Sequence, residues 1–160
     1  MTEFRHVGDN DVHLGFVWKV VVAEFEAPDG SRFHRDIVRS PGAVAVVPVV
    51  FDAEGLASVV LVRQYRGPYG RELIEIPAGM RDVPGEPPEE TGRRELIEEA
   101  GLAASEMTLL VDMLPSPGMT DSVCSIFLAT GCAPAPMQRH GPEEAHMEIM
   151  HVPLDDALAM

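Results

Sequence analysis

Three carboxylates, Glu95, Glu98 and Glu99, stand at i, i+3 and i+4 in the run Arg94-Glu95-Leu96-Ile97-Glu98-Glu99. On a helix this spacing puts all three side chains on one face. Like charges so placed cost a helix about 0.2–0.5 kcal/mol per pair. A solvated face tolerates that cost, and a bound cation removes it. Carboxylate oxygens suit hard ions, Mg²⁺ first and Mn²⁺ second, because thiolate and imidazole are missing from the stretch. A cation gripped there could act on phosphate oxygens as Lewis acid, template and activator of water, the roles that cleavage of a diphosphate requires.

The elements that must position these groups follow from the flanking residues. Pro87 and Pro88 suit a first helical turn, where a missing N–H costs nothing. Glu89 and Glu90 then lie at the positive end of the helix dipole, and Gly101 supplies a left-handed stop. Leu96, Ile97 and Ala100 form an apolar stripe opposite the carboxylates. Before the helix, residues 16–25 and 33–38 read as strands joined by the turn Pro28-Asp29-Gly30-Ser31, a hairpin. Ala43–Phe51 is nearly all apolar and reads as a strand buried on both faces. Residues 58–65 return after the turn at 52–55, Arg66–Gly70 breaks the chain, and 73–76 is a short strand. After the helix, 107–114, 123–129 and 148–152 read as strands, with loops at 115–118 and 133–141. A helix opens at Pro153. Strands around one central helix make an α+β arrangement.

Bulk properties narrow the class. A chain of 160 residues, 46% of them hydrophobic, builds one substantial core and is read as a single domain, 1–160. A net charge of −14 excludes a basic surface for nucleic acid, so a phosphate ligand needs local arginine or a divalent cation. Cys124 and Cys132 have no metal-ligand spacing and fit a reduced protein. No apolar run is long enough for a membrane helix, and the N-terminus has no apolar leader core. A soluble, cytoplasmic protein is the expectation. The methionines read as core filler.

The stretch Gly79, Glu86, Arg94-Glu95, Glu98-Glu99, Gly101-Leu102 resembles the Nudix box, G-x5-E-x7-R-E-U-x-E-E-x-G-U with U aliphatic. Every fixed position from Glu86 onward matches; between Gly79 and Glu86 there are six residues where the pattern has five. The resemblance implies an α/β/α sandwich around a mixed β-sheet, with an N-terminal hairpin region over 1–40 and the Nudix core over 41–160. It implies that Glu95 and Glu99 ligate Mg²⁺ (or Mn²⁺), joined by Glu98 and the Ala78 carbonyl. It also makes Glu86 and Arg94 a structural pair. Relatives continue past the final helix, so this chain's end reads as short.

Arg63-Gln64-Tyr65-Arg66 before Ile76-Pro77-Ala78-Gly79, and Pro117 sixteen residues after Gly101, resemble the ADP-ribose pyrophosphatase branch. That resemblance implies hydrolysis of ADP-ribose, or a related ADP-sugar, to AMP and a sugar phosphate. Arg66 is the first candidate to contact the diphosphate or the terminal ribose, with Arg35 and Arg63 behind it; Phe16 or Trp18 would hold the base. A homodimer is implied, because relatives lend the N-terminal hairpin to a partner's site. Where several relatives carry a water-activating glutamate after the Pro-Gly turn, this chain has Ser122, a poor base at neutral pH. Asp121, Glu143 and Glu144 are the substitutes, beside Glu98 and Glu99 as catalytic carboxylates. Two alternatives stand: a Nudix hydrolase for another nucleoside diphosphate derivative (a GDP-sugar or dinucleotide), or a Nudix-fold sensor that binds a nucleotide without cleaving it. His140, His146 and His151 fit no standard metal spacing and read as surface or strand residues.

Overall fold

The computed structural model describes residues 3–138 and 142–160, and of Pro142 and Glu143 the backbone alone. The chain divides into two compact units, Met1–Gly42 with Leu114–Val123, and Ala43–Met113 with Cys124–Met160.

The first unit is an antiparallel sheet of three strands, β1 (Arg5–Leu14), β2 (Lys19–Glu26) and β3 (Arg32–Arg39), in that order. The expected hairpin is β2–β3. Its turn closes as the Pro-Asp-Gly-Ser sequence suggests, with Asp29 accepting the Ser31 N–H at 2.9 Å and the Ser31 hydroxyl at 2.6 Å. Two corrections apply. The strand begins at Lys19 and not at residue 16, because the Gly15 N–H donates to the Trp18 carbonyl at 2.9 Å in a turn that takes up Phe16 and Val17. The added strand β1, RHVGDNDVHL, is exposed along nearly its whole length and has no apolar alternation to betray it. Cross-strand pairs accompany its backbone ladder, Arg5–Glu26 at 2.9 Å and Lys19–Asp11 at 3.2 Å. The segment Leu114–Val123 is bound to β3: the Val38 N–H donates to the Met119 carbonyl at 2.9 Å, and the Thr120 hydroxyl to the Val38 carbonyl at 2.7 Å.

The second unit is a mixed sheet of seven strands: β4 (Ala43–Phe51), β5 (Ala57–Arg66), β6 (Arg71–Glu75), β7 (Ala78–Met80), β8 (Leu102–Met113), β9 (Cys124–Pro134) and β10 (Glu148–Pro153). The main order is β10-β5-β4-β9-β8, with β6 on β5 and β7 on β4. β4 and β9 run parallel; the other pairs are antiparallel. The apolar run 43–51 is therefore central, as expected, with strands on both edges. Helix α1 (Pro88–Ala100) packs on β4, β7 and β8. The four-residue helices α2 (Pro142–Ala145) and α3 (Leu154–Ala157) lie against β5, and α3 also against β10. Val46, Val60, Leu96, Ala100, Leu102 and Ala129 form the buried cluster that glues α1 to the sheet. Burial of a side chain such as Leu96 contributes about 1.5–3 kcal/mol.

Several boundaries differ from expectation. β8 starts at Leu102, directly after Gly101, and β9 continues to Pro134, so a single long antiparallel ladder covers what the Ala, Ser and Pro residues made look like loop. The closing helix is one turn, and α2 had no apolar periodicity to reveal it.

Candidate active site

Helix α1 starts and stops on the residues that signal it. Pro87 is extended at φ −61, ψ 145, Pro88 opens the helix, and Gly101 takes φ 64, with its N–H on the Ile97 carbonyl at 3.0 Å. Thr91 adds a tie not foreseen from sequence: fully buried, its hydroxyl donates to Glu86 at 2.8 Å and holds the preceding loop to the first turn.

The helix does not present its carboxylates to solvent. Its buried side is Thr91, Gly92, Glu95, Leu96, Glu99 and Ala100, whereas Ile97 is only half-buried. The expected separation of an apolar stripe from an acidic face is thus corrected: Glu95 and Glu99 share the inward side with Leu96, at 9% and 5% exposure. Positions 92, 95, 96 and 99 follow the i, i+3, i+4, i+7 rule, so the helix turned the way Leu96 demands carries both glutamates inward.

Short strand β7 meets them. The Ala78 N–H donates to Glu99 Oε2 at 2.8 Å. Gly79 sits so close to Glu95 that a Cβ there would fall on the Glu95 carboxylate, which is the physical reason a glycine occupies this position. β7 is itself held by pairing of Ala78 with Ala45 and Gly79 with Val44. Arg94 is the counter-charge: its guanidinium lies 2.8 Å from Glu95, 3.1 Å from Glu98, 3.5 Å from Asp82 and 3.6 Å from Glu86. The expected Glu86–Arg94 pair is present as part of this four-carboxylate clasp.

Burial pushes the Glu95 carboxyl up to about 7; Arg94 works against the rise, and the charges of Glu98 and Glu144 add to it. Burial likewise pushes Glu99 up to about 7, opposed by the Ala78 N–H and reinforced by Glu95 and Glu144. Glu144, half-buried on α2, therefore belongs to the electrostatics of this site.

These groups meet the chemical requirement of a hard divalent cation. All donors are oxygens, two of the three carboxylates are buried, and Arg94 relieves the repulsion between Glu95 and Glu98 while the charge of Arg66 acts on Glu99. Among the described residues no three acidic, histidine or cysteine side chains already converge as a metal cage. Glu95 and Glu98 are turned to Arg94, and Glu99 to the Ala78 N–H, because each carboxylate takes its nearest donor.

The other expected site residues are distributed as follows. Arg66 forks onto Glu75, Nε to Oε1 at 2.8 Å and Nη2 to Oε2 at 2.6 Å, and its charge reaches Glu99. Arg63 pairs with Glu148 at 2.8 Å. In the first unit, Arg35 and Pro117 line one cavity of about 500 Å³, together with Phe25, Phe33 and Asp121. Phe25 and Phe33 are cross-strand partners stacked at 5.5 Å and 19°, and the Arg35 guanidinium lies 4.7 Å from the Phe33 ring centre. Phe16 and Trp18, of which one or the other is expected to hold the base, lie at the exposed β1–β2 turn and do not line this cavity. Both oxygens of Asp121 are engaged, by Arg39 at 3.2 Å and by the Ser40 N–H at 3.0 Å. The Ser122 N–H donates to the Thr120 hydroxyl at 3.1 Å. The Glu143 side chain and His140 lie outside the described residues; His146 and His151 are exposed. Cys124 and Cys132 are free thiols, half-buried.

The family model of the NUDIX domain matches residues 41–160. The chain belongs to the Nudix family. It is 35% identical over 158 residues to an ADP-ribose pyrophosphatase of Bacillus subtilis, covering 99% of this chain and 83% of that one. It is 37% identical over 155 residues to an ADP-ribose pyrophosphatase of Mycobacterium tuberculosis, covering 97% of this chain and 73% of that one. The crystal structure of an ADP compounds hydrolase superposes with a TM-score of 0.79 at 24% identity, over 99% of this chain and 84% of that chain, and confirms the Nudix fold. These matches place the chain among the Nudix pyrophosphohydrolases, on the branch that holds the ADP-ribose pyrophosphatases. The family model begins at residue 41, whereas the two relatives align over nearly the whole chain. Among the described residues no helix is long and apolar enough to cross a membrane.

Proposed function

We propose that this Nudix enzyme hydrolyses the diphosphate bond of ADP-ribose, or a closely related ADP-sugar, to AMP and a sugar phosphate. The observation that carries the reading is the pair Glu95 and Glu99, buried side by side on α1 against Ala78-Gly79, in a chain aligned nearly end to end with two ADP-ribose pyrophosphatases.

Glu95, Glu98, Glu99 and the Ala78 carbonyl would hold Mg²⁺, with Mn²⁺ as the substitute. The ion, when bound, supplies Lewis-acid polarisation of the diphosphate. The chain's own residues do the rest. Arg94 limits the repulsion among the carboxylates and keeps Glu95 and Glu98 on one side of the helix. Arg66, aligned by Glu75, presents a guanidinium to the diphosphate. Glu144 takes the proton from the attacking water: its charge acts on both Glu95 and Glu99, while Asp121 is already committed to Arg39 and Ser40. The water oxygen adds to phosphorus, the bridging P–O bond breaks, and AMP and ribose 5-phosphate leave.

The assembly proposed is a homodimer in the cytoplasm. Half or more of Leu109, Leu110 and Val111 on edge strand β8, and of Phe16 and Trp18 at the β1–β2 turn, is exposed, and apolar surface of that kind favours a partner. Incubation with Mg²⁺ and ADP-ribose, GDP-mannose, diadenosine polyphosphates or NADH, followed by assay of released phosphomonoesters, tests the activity. Preferential turnover of ADP-ribose is expected; preference for a guanine or dinucleotide substrate, or tight binding without turnover, overturns it.

A further inference from the structure

The second unit holds a buried donor that the reaction above does not use. Gln64, on β5, is 4% exposed, and its amide nitrogen Nε2 is covered and donates to nothing. A buried N–H without an acceptor is costly, and its retention asks for a role. Strand alternation places Gln64 on the same face of β5 as Val60, Val62 and Arg66. Val60 packs with Leu96 and Ala100, so this is the face that looks at α1. The register of β6 sets Glu75 opposite Val62 and Leu73 opposite Gln64. Arg66 and Glu75 therefore stand diagonally on either side of the Gln64–Leu73 pair, and their fork, at 2.8 and 2.6 Å, crosses it. Each Glu75 oxygen accepts from Arg66 in this arrangement.

Arg66 lies between two acids, since it bonds Glu75 and its charge also reaches Glu99. A diphosphate carries more charge than one carboxylate and competes for the guanidinium. Its release strands Glu75, whose side chain is 24% exposed, and a covered carboxylate without donors opposes binding. The Gln64 amide, next to Glu75 on the same face, is placed to supply the missing donor. We propose that Gln64 is a positioning residue for Arg66: its amide N–H takes over Glu75 when the guanidinium turns to the diphosphate, and so sets affinity, not the chemical step. This rests on the reading that Arg66 meets the diphosphate. All the groups involved belong to the second unit.

The test uses Gln64→Met, close in volume and without a donor, with Arg66→Ala and Glu75→Gln, all in the full chain. The readings are kcat and KM for ADP-ribose, the melting temperature, and calorimetric affinity for imidodiphosphate with Mg²⁺, an anion whose P–N–P bridge resists hydrolysis. Gln64→Met is expected to raise KM and weaken imidodiphosphate binding about tenfold, the size of one lost charge-assisted bond, with kcat unchanged. Its melting temperature should hold or rise, because the unpaired donor is gone. A lower melting temperature with unaltered affinity, the mark of a residue that merely supports the fold, overturns the inference. A fall in kcat at constant KM overturns it also. In Glu75→Gln, where no charge is stranded, adding Gln64→Met should shift KM by less than about twofold. A full tenfold shift there would show Gln64 acting without Glu75, against the proposal. If Arg66→Ala weakens both ligands while Gln64→Met moves neither, the hand-over fails alone. If Arg66→Ala moves neither, the placing of Arg66 on the diphosphate fails and takes the hand-over with it. If ADP-ribose is not turned over but imidodiphosphate still responds to Gln64→Met, the substrate reading fails and the hand-over stands.

Discussion

The Glu99 carboxylate accepts the Ala78 backbone N–H at 2.8 Å, joining the buried face of α1 to the three-residue strand β7. This bond orients a carboxylate that would otherwise be buried without a partner, and it leaves the second oxygen, Oε1, for other chemistry. A glutamine can keep the acceptor while losing the charge. Glu99→Gln is therefore expected to fold normally and to lose metal-dependent turnover by a hundredfold or more, within the range seen when one electrostatic group is removed from a site. Circular dichroism checks the first half and steady-state turnover with Mg²⁺ the second. Near-normal turnover would sink the assignment of Glu99.

A stability prediction follows from the carboxyls at about 7. The folded values of Glu95 and Glu99 lie above the ordinary 4.5, so between these pH values the folded state binds more protons than the unfolded chain. Stability then falls as pH rises from about 4.5 to about 7, and levels off above that. In chelator, the melting temperature should drop across this window, and Glu99→Gln should flatten the drop by removing one of the two buried charges. A melting temperature that rises over the same range in the wild-type chain would contradict the burial of both charges.

Much of this site was legible in the residues themselves. Pro87, Pro88 and Gly101 mark the ends of α1, and the apolar run 43–51 is the central strand β4. What stayed hidden depended on contacts distant in sequence or on the absence of a pattern. β1 is polar and exposed, and it pairs through its backbone, which leaves no periodicity. The inward turn of Glu95 and Glu99 contradicts the usual outward rule for acids, and only the packing of Leu96 reveals it. The partners of Asp121 are Arg39 and Ser40, about eighty residues away, so no local signal could show that its oxygens are taken. The Phe25–Phe33 stack follows from strand register, which the turn sets and composition does not.

Arg94 lies among four carboxylates, Asp82, Glu86, Glu95 and Glu98. Its side chain is 31% exposed, so water screens part of each interaction. Arg94→Ala removes the clasp on the loop before α1 and leaves Glu95 buried without its counter-charge. A loss of about 1–3 kcal/mol is expected, the cost of stranding a covered polar partner, and Arg94→Lys should recover part of it. Urea denaturation measures both. An alanine variant as stable as the wild type would mean that the carboxylates find other donors.

The base is the residue with most at stake in the chemistry. Asp121 follows the Pro-Gly turn, as an activating acid should, yet both of its oxygens already accept hydrogen bonds, one from a guanidinium and one from a backbone N–H. Glu144 has the opposite character: half-buried, it raises the carboxyls of Glu95 and Glu99 and so lies in their field. Glu144→Gln is expected to lower kcat about a hundredfold with little change in KM, the scale of a positioned general base. Full activity in Glu144→Gln would move the proton acceptor elsewhere, and Asp121→Asn would then be the variant to measure, because the serine at 122 holds its proton too tightly to serve.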